Sequence, residues 1–201
     1  MGDPGRDEAG VTLVEVLVAM SAFAIVLAVF LNAVRIMTSS MSRVSAVTAA
    51  TTQSRAAADV LGRQLGYASA ANLPVWSAGT GSWYFEFESD AVLAGADSRC
   101  TQWRYQSATD LLQYRSWSVV MLAPTSWTTV TGSVVNDPVT RPPFTLLASD
   151  GGFSIMRVVV DLQLRSAVGA LVESQGQYTM RNSLEAPIPT TTTVCTQLGR
   201  P

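Results

Sequence analysis

The sequence contains no histidine and no lysine, and its thirteen basic residues are all arginine. Without histidine there is no Ser-His-Asp or Cys-His machinery and no HExxH zinc site. Without lysine there is no P-loop lysine, no Schiff base and no Ser-Lys dyad. A hydrolase built from this chain would have to run on carboxylates alone. Charge is scarce at 14%, and the formal net charge of −2 offers no basic surface to draw nucleic acid. No pattern of residues calls for a cofactor or a metal. What is abundant is apolar: mean hydropathy is +0.24, above that of an ordinary soluble domain.

The apolar excess lies near the front. Val16 to Val34 runs nineteen residues without a charge, VLVAMSAFAIVLAVFLNAV, with Ser21 and Asn32 as its only polar members. As a helix this is about 28 Å long, close to the hydrocarbon thickness of a bilayer. A signal peptide has a shorter apolar core, a basic flank and an A-x-A-like cleavage site. Here the flank MGDPGRDEAG holds one arginine against three acids, and AVFLNA is a poor site. The segment is expected to stay and to span once. Arg6 upstream and Arg35 and Arg43 downstream do not fix its orientation.

Just before the uncharged run, Glu15 stands among Leu13, Val14, Val16, Leu17 and Val18. A charge at mid-bilayer costs roughly 2.5–3.5 kcal/mol on insertion scales, so such a residue is a functional candidate. Near the interface its side chain snorkels at little cost.

The run from Gly10 through Thr12, Leu13, Val14, Glu15, Val16, Leu17, Val18 and Ala19 resembles the amino terminus of type IV prepilins and type II secretion pseudopilins. Their pattern is a hydrophilic leader ending in Gly, followed by a hydrophobic segment with Glu at its fifth position. Val11 replaces the usual Phe at the first mature position, and the leader is acidic where the family's is basic. The resemblance implies a leader over 1–10, cut by a prepilin peptidase between Gly10 and Val11, and N-methylation of Val11. It implies a cytoplasmic amino terminus, an extracytoplasmic carboxyl domain, and a cell-surface filament after assembly. Its partners would be other pilin or pseudopilin subunits, the prepilin peptidase, an inner-membrane assembly platform, and membrane lipid before assembly. Nucleic acid is not an expected partner.

The cut has a physical purpose. It turns the Val11 nitrogen from an amide into a cation, and a cation pairs strongly with a carboxylate where the dielectric is low. Glu15 of one subunit would then neutralise the Val11 amine of its neighbour and set the register between them. Val11 and Glu15 are also four apart on one helix face, so an intrachain pair is the simpler version. Losing Asp3, Arg6, Asp7 and Glu8 leaves twelve arginines and twelve acids.

Helical character continues to Gly66. A single helix over Val14–Gly66, about 80 Å long, is expected. Its filament-core half covers 11–35, and an amphipathic half over 36–66 packs on a sheet through Met37, Met41, Val44, Val60, Leu61 and Leu65. Serines and threonines predict a kink or melted stretch around Thr38–Thr52. From 67 to 201 the period changes to two. Ser82–Ser89 reads as a half-buried strand, Arg99–Gln106 and Leu111–Val120 as a hairpin, and Met156–Arg165 and Gln175–Ser183 as later strands. Pro138–Gly152 reads as a loop or irregular crossing. A long amino-terminal helix on a mostly antiparallel sheet is an α+β arrangement, as in pilins.

Two cysteines in an exported domain usually form one disulfide, so Cys100 and Cys195 are expected to pair; two unrelated thiols is the alternative. Glu86 and Glu88, two apart on a strand, form a carboxylate pair of the kind glycosidases use, but an ordinary solvated strand face is the expectation. Asp150-Gly151-Gly152, with Asp137 or Asp161, carries calcium-type ligands, although an Asp-capped turn needs no metal. Trp103, Arg104, Tyr105, Tyr114, Arg115 and Trp117 interleave aromatics with arginine. That pattern stacks on single-stranded nucleic acid or, more usually, packs across strands.

The sequence therefore reads as a structural filament subunit and not an enzyme. Its length and its hairpin resemble minor subunits, J-type pseudopilins or W-type pilins, which initiate filaments. The rivals are a single-pass anchored binding protein (an adhesin or DNA receptor) and a surface carboxylate enzyme that would depend on Glu86.

Overall fold

The computed structural model describes residues 12–90, 97–147, 155–183 and 194–195. A single helix, α1, runs unbroken from Leu13 to Leu65. The stretch around Thr38–Thr52 is not melted, contrary to the sequence expectation. The hydroxyls of Thr38, Thr51 and Thr52 donate back to the carbonyls four residues earlier, so these weak helix formers satisfy themselves within the helix. The helix closes with Gly66 N–H donating to the Gly62 carbonyl.

The chain divides into two compact units, residues 1–45 and 46–201. In the second, the described residues form nine strands after the end of α1: β1 Ala68–Ala71, β2 Val75–Ser77, β3 Ser82–Ser89, β4 Arg99–Gln106, β5 Leu111–Ser118, β6 Thr128–Thr131, β7 Phe144–Leu147, β8 Arg157–Arg165 and β9 Leu171–Thr179. They form two antiparallel sheets. The first has the order β1-β3-β4-β5-β6, with β2 also on β3; the second has the order β7-β8-β9. The sequence reading had a single sheet. It also placed a loop or irregular crossing where β7 lies, and began the last strand at Gln175 instead of Leu171.

Both sheets and the end of α1, from Ala57 to Leu65, share one core. Ala57, Leu61 and Leu65 meet Phe85, Phe87, Trp103, Tyr105 and Leu112 from the first sheet, and Phe144, Val158, Val160, Leu162 and Leu164 from the second. Phe85 and Phe144 stack across the two sheets with centroids 5.5 Å apart. Trp103 Nε1 donates to Gln64 Oε1 at 2.8 Å, tying the first sheet to the helix.

The helix face turned to this core is Ala50, Ser54, Ala57, Ala58, Leu61 and Leu65, mostly small residues. Met37, Met41 and Val44, taken from the sequence as part of the stripe, are exposed. The small side chains let the helix backbone lie close to the sheets, and the large aromatics come from the strands.

Candidate functional site

At the amino-terminal end of α1, Thr12 is the cap. Its Oγ1 accepts from Glu15 N–H at 3.3 Å, and its carbonyl accepts from Val16 N–H at 3.2 Å. Thr12-Leu13-Val14-Glu15 thus has the spacing of a capping box, with Glu15 in the first helical turn, where the positive end of the helix dipole favours a carboxylate. Thr12 as a cap was missed in the sequence reading, although the T-x-x-E spacing carried the signal. Glu15 is exposed. Gly10 and Val11, the expected cleavage and methylation residues, lie outside the described residues.

From Val16 to Val34 the helix is apolar on every side. Phe23, Ile25, Val26 and Val29 step around the axis and are all about two-thirds exposed, at 67% each. Ser21 donates its hydroxyl to the Val18 carbonyl at 2.8 Å, so it presents little polarity outward. A helix apolar all round belongs in apolar surroundings, whether lipid or other helices. In length and composition this one fits a membrane anchor.

The face of the first sheet turned away from α1 holds the most unexpected arrangement. Glu86 is buried at 0% exposure. It is not the solvated residue that strand alternation predicts. The register aligns Glu86 with Gln102 and Arg115 across β3, β4 and β5. Glu86 accepts from Gln102 Nε2 at 2.5 Å and from Asn72 Nδ2 at 2.9 Å, while Arg115 Nε donates to Gln102 Oε1 at 2.7 Å. A buried carboxylate is tolerable only when bonded and balanced by charge in this way. Glu88, two residues on, is only partly buried. The two carboxylates therefore occupy different environments.

Arg104 and Arg115 both lie against the Trp127 ring, 4.0 and 4.4 Å from its centroid. Burial first, then the neighbouring Arg104 charge, pulls the Arg115 guanidinium below its ordinary value. Trp103, Tyr105 and Trp117 are buried, and Trp103 stacks on Tyr114 at 5.3 Å. The interleaved aromatics are core and cross-strand packing, so these three present no open platform for bases. Asp137 is occupied by the N–H groups of Val139 and Thr140, and Asp161 by Arg141. Among the described residues no cluster of three or more metal-ligating side chains occurs. Asp150, Gly151 and Gly152 lie outside them.

Cys100 and Cys195 are joined by a disulfide with Cα atoms 6.0 Å apart. The bridge packs with Trp117, Val119 and Val194 in a small second cluster. Closing a loop over a separation of 95 residues contributes roughly 4–5 kcal/mol in the chain-entropy model.

Residues 5–31 match the profile of the prokaryotic N-terminal methylation motif. The chain thus carries a type IV prepilin-like amino terminus, consistent with the type IV pilin and pseudopilin family, and its α+β architecture of a long apolar helix followed by antiparallel sheets is pilin-like. No curated protein and no solved structure matches the chain significantly.

Proposed function

We propose that the chain is a structural subunit of a type IV pilus-like filament. The observation that carries this reading is the methylation motif over 5–31, which takes in the all-round apolar start of α1 with Glu15 in its first turn. The motif supports a pilin-like subunit processed by a prepilin peptidase. The cut falls between Gly10 and Val11, and the new Val11 amine receives the methyl group. In the membrane the helix anchors the subunit, amino terminus in the cytoplasm and the sheet domain outside. On the assembly platform the helices leave lipid and pack against one another. Glu15 of one subunit then neutralises the Val11 amine of the next, since neither charge is stable alone in that interior.

Within the family we place the chain among minor subunits, resembling the J-type pseudopilins or the W-type pilins, with a role in filament initiation. The basis is the length of the mature chain and the large β4–β5 hairpin. The function is structural; no reaction is assigned to it.

Glu15→Ala tests the central contact. The variant should insert into the membrane and fold as the parent does, yet be missing from filaments sheared from the cell surface. Glu15→Ala chains that enter filaments at the parental level would overturn the reading and favour an anchored binding protein.

A further inference from the structure

The buried Glu86 carboxylate needs a cover on the side away from the helix, and two residues near the carboxyl end are placed to supply it. Val194 N–H donates to Asn72 Oδ1 at 2.8 Å, and the same Asn72 side chain donates through Nδ2 to Glu86. Its neighbour Cys195 is bonded to Cys100 on β4. Asn72 follows β1, and both β1 and β4 pair with β3 on its two sides. The dipeptide therefore crosses β3 on the face where Glu86 and Glu88 project, since residues two apart on a strand share a face.

Little else among the described residues holds it there. The anchors are the single hydrogen bond to Asn72, the apolar contact with Trp117 and Val119, and the disulfide. The covered face also carries a cost: Trp117 Nε1 is buried with no hydrogen-bond partner among the described residues. Docking the dipeptide on a domain already placed as far as Ser183 still costs the conformational entropy of the residues it orders. The covalent link is what offsets that loss.

We propose that Val194–Cys195 is an oxidation-dependent cover for the Glu86 carboxylate, closed by the Cys100–Cys195 bond and open when the two thiols are reduced. Closure forms the Sγ–Sγ bond as the thiols give up two protons and two electrons to a partner disulfide, which leaves as a dithiol. In a reducing compartment Glu86 faces water. In an oxidising one it is sealed, while Glu88 on the same face stays partly exposed. This cover is independent of the filament reading and holds for any exported form of the chain.

Carbodiimide–amine labelling of the full-length chain in detergent reads it directly, with Glu88 as internal reference and the near-ultraviolet circular dichroism of the aromatic core followed in parallel. In the oxidised chain Glu86 should label at least tenfold more slowly than Glu88. After dithiothreitol, or in Cys195→Ser, Glu86 should label at a rate close to that of Glu88 with the dichroism retained. Asn72→Ala, which keeps the bridge, should give an intermediate rate. Glu86 that stays unreactive after reduction would overturn the proposal, as would Glu86 that already labels like Glu88 in the oxidised chain. Loss of the aromatic dichroism on reduction would also overturn it, because the bridge would then hold the whole domain and not a local cover.

Discussion

The Tyr178 ring lies directly on the bare backbone of Gly62: a Cβ at position 62 would sit 2.5 Å from Tyr178 Cε1 and 2.6 Å from Cδ1. In a helix interior Gly→Ala ordinarily stabilises by about 0.5–1 kcal/mol. Here the sign should reverse, because the ring is backed by Gly176, whose own Cβ would meet the Tyr178 hydroxyl at 2.9 Å. Gly62→Ala is expected to destabilise by roughly 1–3 kcal/mol, the usual range for overpacking. In a Tyr178→Ala background the same substitution should be neutral or stabilising. Thermal unfolding of the four chains measures this as a double-mutant cycle.

Glu86 should tolerate no apolar replacement. Glu86→Leu strands Asn72 Nδ2 and Gln102 Nε2 and leaves the Arg115 charge unbalanced, a loss of about 3–5 kcal/mol of the kind seen when one partner of a buried charge pair is removed. Glu86→Gln retains the shape and one acceptor and should cost less, on the order of 1–3 kcal/mol. Denaturant midpoints would show the order parent, Gln, Leu. A Leu variant as stable as the parent would mean that the network contributes nothing net.

Stability should be flat through the neutral range, for the chain has no histidine to titrate there. On the acid side, Arg141 first and Gln163 second hold the Glu173 carboxyl below its ordinary value of 4.5, and the N–H groups of Thr140 and then Val139 hold Asp137 below 3.8. Their contribution is present above those ordinary values and is lost as pH falls through the lower folded ones. On the alkaline side, burial first, then Asp110 and Asp137, pushes the Tyr105 phenol up from 10.0 to about 12. That contribution is complete below about 10 and lost as pH rises through the folded value. Thermal midpoints against pH should form a plateau falling at both ends, and the acid limb should flatten in Arg141→Ala.

Gly10→Ala should block leader removal without touching the sheet domain. The full-length chain would accumulate in the membrane fraction, larger by the ten-residue leader, and be absent from sheared filaments. Immunoblots of the two fractions read this. A Gly10→Ala chain that assembles would separate filament entry from cleavage.

What the sequence made legible follows the strength of each periodic signal. Ser82–Ser89 and Arg99–Gln106 alternate over eight residues each, and they are β3 and β4 at those bounds. β1, β2, β6 and β7 have only three or four residues, too few for a period, and β7 stands among prolines, where its pairing with β8 decides its state. Val60, Leu61 and Leu65 of the expected helix stripe do meet the core, but Met37, Met41 and Val44 stay exposed, because the sequence marks large apolar residues whereas the buried face further up the helix is Ala50, Ser54 and Ala57. Glu86 was misread for a related reason. Alternation tells which face a residue is on, but not that Asn72 and Gln102, fourteen and sixteen positions away, bond its carboxylate there. The Thr12 cap is legible in the T-x-x-E spacing of Thr12 to Glu15.

Pairing of Glu15 between subunits requires a free amine at Val11. Intact-mass measurement and amino-terminal sequencing of the chain recovered from native membranes or filaments decide it. The expected start is Val11, with a methyl group adding about 14 Da. Mature material that begins at Met1 or Gly2 would leave Glu15 without its partner amine and would rule out assembly through that pair.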